Sequence, residues 1–352
     1  MKKVLLSFSI LLLLTAFAYA QDLKDKVKLS GLMYSDFFYN IDNSDAAKKD
    51  LNGFQFRRIY FTADFAIADN FDARFRTDTD GGTNSNTPGG KFGVMVKDAY
   101  VKWKGLFSGS DLVLGISPTP AFDVSEAAWG YRSLEKTILD LDGIVSSRDF
   151  GVDLKGKLMG DGTVNYWLKV ANNSGNGPES DKYKRYYSML HFKLTDGLQA
   201  TVYADYASKA NKLDSFDKQS KSNNQFVGSF FLGYKQKENF SIGLEAFTRS
   251  IQNNFAKSST SALQNQSSLG FSLWGWASLS EDFRLIGRFD NYDPNQDLDN
   301  DGKSFFMAGL DYRPGRNFSV IPNFQYVSYQ ANDAQGIPKS DLVARVTFTF
   351  TF

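Results

Sequence analysis

The last ten residues, VARVTFTFTF (343–352), have the pattern of an amphipathic β-strand. Because side chains alternate across a strand, Phe348, Phe350 and Phe352 fall on one face, while Arg345 and the threonines fall on the other. In a soluble protein so apolar an edge invites aggregation unless a core buries it. The rest of the chain must therefore indicate whether these phenylalanines meet a protein core or lipid.

Alternating segments of this kind recur along the whole chain, and the gaps between them are short and long by turns. Short links such as PGRN (314–317) predict tight hairpins, and the longer gaps are rich in Asn, Ser, Asp and Gly. We count sixteen predicted strands, from 27–39 to 341–352. Each is long enough to cross a bilayer when tilted, for which about 9–11 residues suffice.

The sequence thus predicts an all-β fold, a transmembrane antiparallel β-barrel of sixteen strands. In hydrocarbon every backbone polar group needs an internal partner, so such a sheet must close on itself. The alternative is a soluble sandwich or solenoid, whose strands also carry one apolar face. The regular change between short turns and long loops favours the barrel, with the turns on the periplasmic side and the long loops outside.

The first twenty residues have the features of a secretory signal peptide. Two lysines precede an apolar run, and Ala18-Tyr19-Ala20 forms a small-x-small cleavage site. We therefore divide the chain into a signal peptide, 1–20, and an outer-membrane barrel domain, 21–352. An amino-terminal membrane anchor is the alternative, but the apolar run is short for a spanning helix.

Charge and cysteine content argue against several classes of protein. The chain has 40 Lys and Arg residues against 39 Asp and Glu, and removal of the two signal-peptide lysines leaves 38 against 39. This balance argues against a nucleic-acid partner, because nucleic-acid binders carry a basic excess or a basic patch. The sequence contains no cysteine, which excludes disulfides and a cysteine-linked lipid anchor.

Four stretches resemble the phosphate-selective porin O/P-like family of outer-membrane porins: FQFRRIYFTADFAIADNFDARFRTD (54–78), VKDAYVKW (96–103), VLGISPTPAF (113–122) and SSRDFGVDLKGKL (146–158). The resemblance implies a trimeric barrel of sixteen strands whose long loop after strand five folds into the lumen and narrows it. The longest gap, 117–147, stands at that place. Selective members line the channel with many arginines and lysines, whereas this chain is charge-balanced. We therefore expect the pore without extending the phosphate specificity to it.

The apolar register assigns lumen positions in predicted strands two to four. Where Ile59 and Phe61 face lipid, the neighbouring side chains face the lumen, and the same reasoning applies to the next two strands. A charged side chain that faces lipid at mid-depth costs about 2–4 kcal/mol, which supports the inward assignment of the basic residues. The sequence predicts a basic wall formed by Arg58, Arg74, Arg76 and Lys102.

The long loop supplies charges that we expect to face this wall. Asp123 or Ser125 is expected to cap a short helix that runs through Trp129. Acids on a loop in the lumen, opposite a basic wall, create a transverse field that orients dipolar solutes and sets ion preference. The alternative is that the loop charges only pin the loop to the wall through salt bridges. The candidate loop residues are Asp123, Glu126, Arg132 and Glu135.

A second chemical signal is DLDNDGK (297–303). Asp297, Asp299 and Asp301 alternate ahead of a glycine, as in the first half of a calcium loop, and calcium prefers carboxylate oxygens. However, the twelfth position of an EF-hand loop is Ala308 here instead of glutamate. Acidic runs that end in glycine are also ordinary turn formers, so a structural calcium ion and a solvated loop are both open.

The sequence shows no arrangement of catalytic residues. The single histidine, His191, is predicted to be a polar lumen residue without a nucleophile or carboxylate partner at relay spacing. We therefore expect a non-enzymatic porin of the bacterial outer membrane, surrounded by lipid, that passes small hydrophilic or charged solutes and prefers anions. The alternative is a non-conducting barrel that serves as an adhesin or a structural anchor. The resemblance implies a homotrimer, and the terminal strand resembles the sorting signal that the barrel-assembly machinery reads.

Overall fold

The computed structural model describes residues 26–80, 92–332, 336 and 338–352. The predicted signal peptide lies outside the described residues. Within them, sixteen antiparallel strands pair in chain order, and the last strand pairs with the first to close one barrel. The predicted fold is confirmed, and the soluble sandwich or solenoid is wrong.

Short connections join the strands at one end of the barrel, the turn end, and long connections join them at the other, the loop end. The longest connection, residues 119–147 between β5 and β6, is the long loop. The strands are β1 Val27–Asp42, β2 Asn52–Ala68, β3 Phe71–Asp80, β4 Met95–Phe107, β5 Ser110–Pro118, β6 Arg148–Lys157, β7 Val164–Ala171, β8 Arg185–Lys193, β9 Leu198–Ala207, β10 Gln225–Gln236, β11 Phe240–Phe255, β12 Gln264–Ser278, β13 Phe283–Asp293, β14 Lys303–Gly315, β15 Phe318–Asn332 and β16 Pro338–Thr351.

In the part of the chain that the structure describes, regular structure outside the barrel is limited to short elements. The long loop contains the helices α1, Asp123–Trp129, and α2, Ile138–Leu141. A 3-10 helix, Ala46–Lys48, follows β1, and Lys212–Leu213 pairs with Ser220–Lys221 in a two-stranded ladder at the loop end. Among the described residues, no helix has the length and hydropathy needed to cross a membrane.

The seam between β1 and β16 has the two faces predicted from the alternation of the last strand. Backbone hydrogen bonds of 3.0 and 3.2 Å join Gly31 and Phe352 in both directions. The Phe352 ring lies over Gly31, where an added Cβ would come 2.0 Å from a ring carbon, so a larger residue at this position would displace the ring. Phe350 and Phe352 face outward and are 41% and 61% exposed. Arg345 points inward, 3.7 Å from Asp36.

The outward face of the barrel is apolar, whereas the inward face carries both charged and apolar side chains. Large apolar side chains project outward and are well exposed, among them Phe61, Leu114, Leu244 and Phe324. The inward faces carry most of the buried charged residues, such as Asp98. A continuous apolar outer surface suits contact with hydrocarbon, and the charged part of the interior suits contact with water.

Among the register shifts of the barrel, two bulges turn additional charges inward. In the pairing of β1 with β2, Arg57 is an extra residue, so that Arg57 and Arg58 both face the interior. In the pairing of β3 with β4, Lys97 is the extra residue, and Lys97 and Asp98 both face the interior. Since a bulge adds one residue to one strand only, it shifts the phase of the side chains that follow.

Candidate functional site

The long loop contacts inward-facing side chains on strands far from its own attachment. Ser125 Oγ on α1 donates a hydrogen bond of 2.7 Å to Glu245 Oε1 on β11. Tyr131 OH donates to Asp311 Oδ2 on β14 at 2.8 Å. These contacts reach from the β5–β6 side of the barrel to the opposite wall, so the loop lies against the inner surface.

Two clusters of buried apolar side chains fill the space between the long loop and the inward faces of β7–β15. In one cluster, Trp129 is completely buried, and its ring centroid lies 5.3 Å from that of Trp274. In the other, Ile138 and Leu139 of α2 pack with Tyr203 of β9. We call this region the packed half of the interior, because it has the composition of a soluble core.

The helix predicted to run through Trp129 is present, but its predicted cap is wrong. Phe122 is the N-cap residue and makes no side-chain cap hydrogen bond. Ser125 instead directs its hydroxyl to Glu245, because that buried carboxylate requires a donor. The helix ends at Gly130, whose φ of 71° lies in the left-handed region favoured by glycine.

The other side of the interior is charged. We call it the charged wall: the inward faces of β2, β3 and β4 together with Arg148 at the start of β6. Each predicted basic residue of this wall lies beside a carboxylate. The pairs are Arg74–Asp64 at 2.6 Å, Arg76–Asp98 at 3.1 Å, Lys102–Asp72 at 3.3 Å and Arg58–Asp78 at 3.6 Å. The basic residues of the predicted wall are therefore each paired with a carboxylate in the structure.

Two of these carboxylates are completely buried, and each serves two basic groups. The groups are Arg76–Asp98–Arg148 and Arg58–Asp78–Lys97. Each contains two positive charges and one negative charge, so each leaves one positive charge uncompensated within the group. Sequence reasoning missed Lys97 and Arg148. The adjacent charges Lys97-Asp98 contained a signal, because under strict alternation one of them would face lipid.

A cavity of about 370 Å³ lies between the charged wall and α1. It brings together five of the eight predicted site residues, and Arg148, Tyr34 and Tyr60 line it as well. Basic and acidic side chains from the wall and the loop thus face one common space. The five predicted residues are Arg74, Arg76, Asp123, Glu126 and Arg132.

The loop charges in this cavity differ in how far they are neutralised. Arg132 bonds Glu126 and, at 2.8 Å, Asp140 within the loop itself. Burial lowers the pKa of Arg132, but the two carboxylates outweigh burial, and the pKa is raised. Asp123 is exposed, and among the described residues no ion pair within 4.0 Å involves it. Asp123 is therefore the loop carboxylate most available to a solute.

The structure places the remaining three predicted residues elsewhere. Arg58 is buried behind Tyr60, with its guanidinium carbon 5.2 Å from the ring centroid. Lys102 lies nearer the turn end, in a second cavity that it shares with Arg74. Glu135 lies at the tip of the long loop, 3.3 Å from Arg57. These three do not line the cavity beside α1.

The predicted calcium ligands lie in the connection between β13 and β14. Asp297 and Asp299 are exposed, and Asp301 is half-buried. Within the described residues, no group of three or more His, Cys, Asp or Glu side chains is arranged to hold a metal ion. Burial and the nearby Asp293 raise the pKa of Asp301. Calcium binding stays a prediction, which a titration of the protein with Ca²⁺ tests.

The fold is similar to solved outer-membrane channels. An anion-selective porin from Comamonas acidovorans has a TM-score of 0.66 at 12% identity, with 93% of this chain and 99% of the porin covered. The channel DcaP of Acinetobacter baumannii has a TM-score of 0.65 at 12% identity, with 93% and 97% covered. OprB of Pseudomonas putida has a TM-score of 0.65 at 10% identity, with 95% and 96% covered.

No protein-family model matches the chain, and no curated protein matches it. At identities of 10–12%, the likeness to these channels establishes the fold. The chain is a closed sixteen-stranded barrel with the architecture of outer-membrane porins. The resemblance to the phosphate-selective family stays a prediction.

Proposed function

We propose that this protein is a porin of the bacterial outer membrane, a water-filled channel for the passive diffusion of small hydrophilic solutes and ions. The observation that carries the proposal is the charged wall. Its ion pairs line a cavity beside α1 inside a barrel whose outer surface is apolar. Partly exposed pairs such as Arg74–Asp64 are stable next to water and costly in a dry interior.

We place the narrowest part of the channel between α1 and the charged wall. The packed half attaches the long loop to β7–β15, so the loop reduces the open cross-section to the side of β2–β6. Asp123 and Glu126 then face Arg74, Arg76 and Arg148 across the passage. Fixed charges of both signs at close quarters orient a dipolar solute as it passes.

We further propose a modest preference for anions. The two groups that share a carboxylate each leave one positive charge uncompensated on the charged wall. The exposed carboxylate of Asp123 and the charge balance of the whole chain limit the preference. An excess of positive charge along a narrow aqueous passage raises the local concentration of anions and lowers that of cations.

Single-channel recording in a planar bilayer tests the channel. The purified, folded protein is expected to give stable conductance steps, and a reversal potential in a salt gradient gives the anion preference. The same gradient with phosphate in place of chloride tests the phosphate specificity of the family that the sequence resembles. The absence of channel events from a barrel that is folded by circular dichroism would contradict the porin and favour an adhesin or an anchor.

Orientation and assembly are part of the proposal. We place the loop end outside the cell and the turn end in the periplasm, expect removal of residues 1–20, and expect a homotrimer. Cross-linking of the detergent-solubilised protein tests the trimer. The outward aromatic face of β16 is the segment that we expect the barrel-assembly machinery to read, so Phe352→Ala should lower the yield of inserted protein.

A further inference from the structure

The bulge in β2 brings Arg57 into contact with residues 133–135 of the long loop. Among the described contacts, no other residue of the charged wall reaches this segment. Arg57 Nη1 donates to the carbonyl oxygens of Ser133, at 2.8 Å, and Leu134. Its Nη2 lies 3.3 Å from Glu135 Oε2. One guanidinium therefore holds three consecutive residues of the long loop, and it does so only because the bulge turns Arg57 inward.

The segment Ser133–Lys136 needs hydrogen-bond donors from the barrel strands, because it lies between α1 and α2. Its carbonyl groups are outside helices, and a buried carbonyl without a donor is costly. Gln325 Nε2 on β15 donates to Leu134 O at 3.1 Å, and Arg288 on β13 donates to Lys136 O. Three inward-facing side chains thus fix the tip of the loop, Arg57 from the charged wall and Gln325 and Arg288 from the packed half.

Asp36 on β1 connects the Arg57 contact to the seam of the barrel. This carboxylate is buried and lies 3.6 Å from Arg57 Nε on β2 and 3.7 Å from Arg345 on β16. Thr347 Oγ1 of β16 also donates to it at 2.7 Å, and Gln55 Nε2 of β2 donates at 3.2 Å. One carboxylate thus joins the first, second and last strands at the position where the loop tip is held.

We propose that Arg57 is the positioning residue of the constriction: it fixes the loop tip at Ser133–Glu135, and Asp36 couples this contact to the closed seam. The proposal deepens the proposed function, on which its effect on conductance rests. Its effect on the loop tip does not depend on conductance. Arg57 touches no solute in this assignment, and its role is to hold the segment that follows Arg132.

A thiol-labelling experiment tests the proposal directly. The chain has no cysteine, so Ser133→Cys introduces a unique thiol at a position that is 5% exposed. In this background, Arg57→Gln is expected to accelerate modification by a small methanethiosulfonate about tenfold, because loss of charge-assisted hydrogen bonds raises the open population of the tip. Arg58→Gln is the matched control, since Arg58 also faces inward but bonds Tyr60 and Asp78 instead of the loop.

Further variants separate the parts of the proposal. Arg57→Lys keeps the charge but loses the forked donor, so labelling should increase by an intermediate factor; this variant decides the question if Arg57→Gln does not assemble. Asp36→Asn should also accelerate labelling, and a wild-type rate in that variant would overturn the coupling to the seam.

Bilayer recordings on the same variants show whether the loop tip moves within the proposed constriction. Arg57→Gln should add conductance fluctuations, whereas Arg58→Gln should change ion preference with steady steps. Equal labelling rates in the Arg57 and Arg58 variants would overturn the positioning role whether or not the channel conducts. Absence of conductance in the unmodified protein would overturn the proposed function and leave the labelling result readable.

Discussion

The two halves of the barrel interior bury their side chains in different ways: one by apolar packing and the other by ion pairing. In the packed half, the long loop and β7–β15 bury aromatic and aliphatic side chains together, and the pair Arg288–Asp290 beneath the loop is almost completely enclosed. In the charged wall, charged side chains lie in ion pairs with their neighbours, and pairs such as Arg74–Asp64 remain partly exposed. The first arrangement excludes water, and the second tolerates it.

The difference indicates how one barrel can both carry a loop and keep open the passage that we propose. Apolar contact is non-directional and grows with buried area, so it suits a large attachment surface. Ion pairs fix individual side chains but contribute little stability where solvent reaches them. They can therefore line a water-filled space without closing it. The following experiments are ordered by expected effect, from the largest to the smallest.

Truncation of Trp129 tests whether the packed half holds the loop. Trp129→Ala removes a completely buried ring that packs against Trp274, and it should weaken docking of the loop by about 3–5 kcal/mol. Hydrogen exchange of peptides from 119–147 measures the change. Trp103→Ala is the matched control, because Trp103 faces outward and does not contact the loop. Unchanged loop exchange in the Trp129 variant would mean that other contacts hold the loop.

Neutralisation of Asp98 tests the charged wall. Asp98→Asn leaves Arg76 and Arg148 without their shared carboxylate, which should lower the free energy of unfolding by about 2–3 kcal/mol and increase anion preference. Denaturant unfolding and reversal potentials measure the two effects. Asp64→Asn, at a partly exposed pair, should cost about 1 kcal/mol or less. Equal costs at the two sites would contradict the role of the shared carboxylate.

Removal of two arginines tests which half sets ion preference. The double variant Arg74→Ala and Arg76→Ala should lower the anion-to-cation permeability ratio roughly twofold, because two positive charges leave the cavity beside α1. Arg185→Gln removes a charge from the packed half, where Arg185 pairs with Asp205 at 2.7 Å. That control should leave the ratio unchanged. A larger change in the permeability ratio for Arg185→Gln than for the double variant would place the passage on the other side of the loop.

The smallest expected effect is the pH response of the loop tip. Burial raises the pKa of Glu135, but Arg57 and the Lys136 N–H, with Arg345 and Arg288 nearby, lower it below 4.5. A carboxylate with a lowered folded pKa stabilises the docked loop above its unfolded pKa, and this contribution is lost as pH falls through the folded value. The tip should therefore loosen progressively as the pH falls from the range in which an ordinary glutamate titrates to the lower pKa of Glu135.

Hydrogen exchange of the loop, corrected for its intrinsic pH dependence, detects this step. Glu135→Gln should remove it, because the amide does not titrate in this range. A variant that loosens at the same pH as the unmodified protein would assign the step to another group.

Much of the fold follows from the sequence. Alternation placed Arg58, Arg74 and Arg76 on the inward face, and the turn and loop spacing predicted sixteen strands. The partners of those arginines were not predicted, because cross-strand neighbours depend on register, and alternation alone does not determine register. Arg57 was missed because a bulge makes two consecutive side chains face one way. Local sequence favours Asp123 or Ser125 as a helix cap and does not reveal the bond from Ser125 to Glu245, because Glu245 is distant in sequence.

The two bulges also bear on how the proposed channel changes over generations. Under strict alternation, at most every second residue of a strand reaches the passage, which limits how densely charges line it. One inserted residue, as at Arg57 or Lys97, exceeds that limit while the strand count and the closure of the barrel stay the same. Insertion or deletion of a single codon within a strand therefore offers a route to new permeability that point substitution does not.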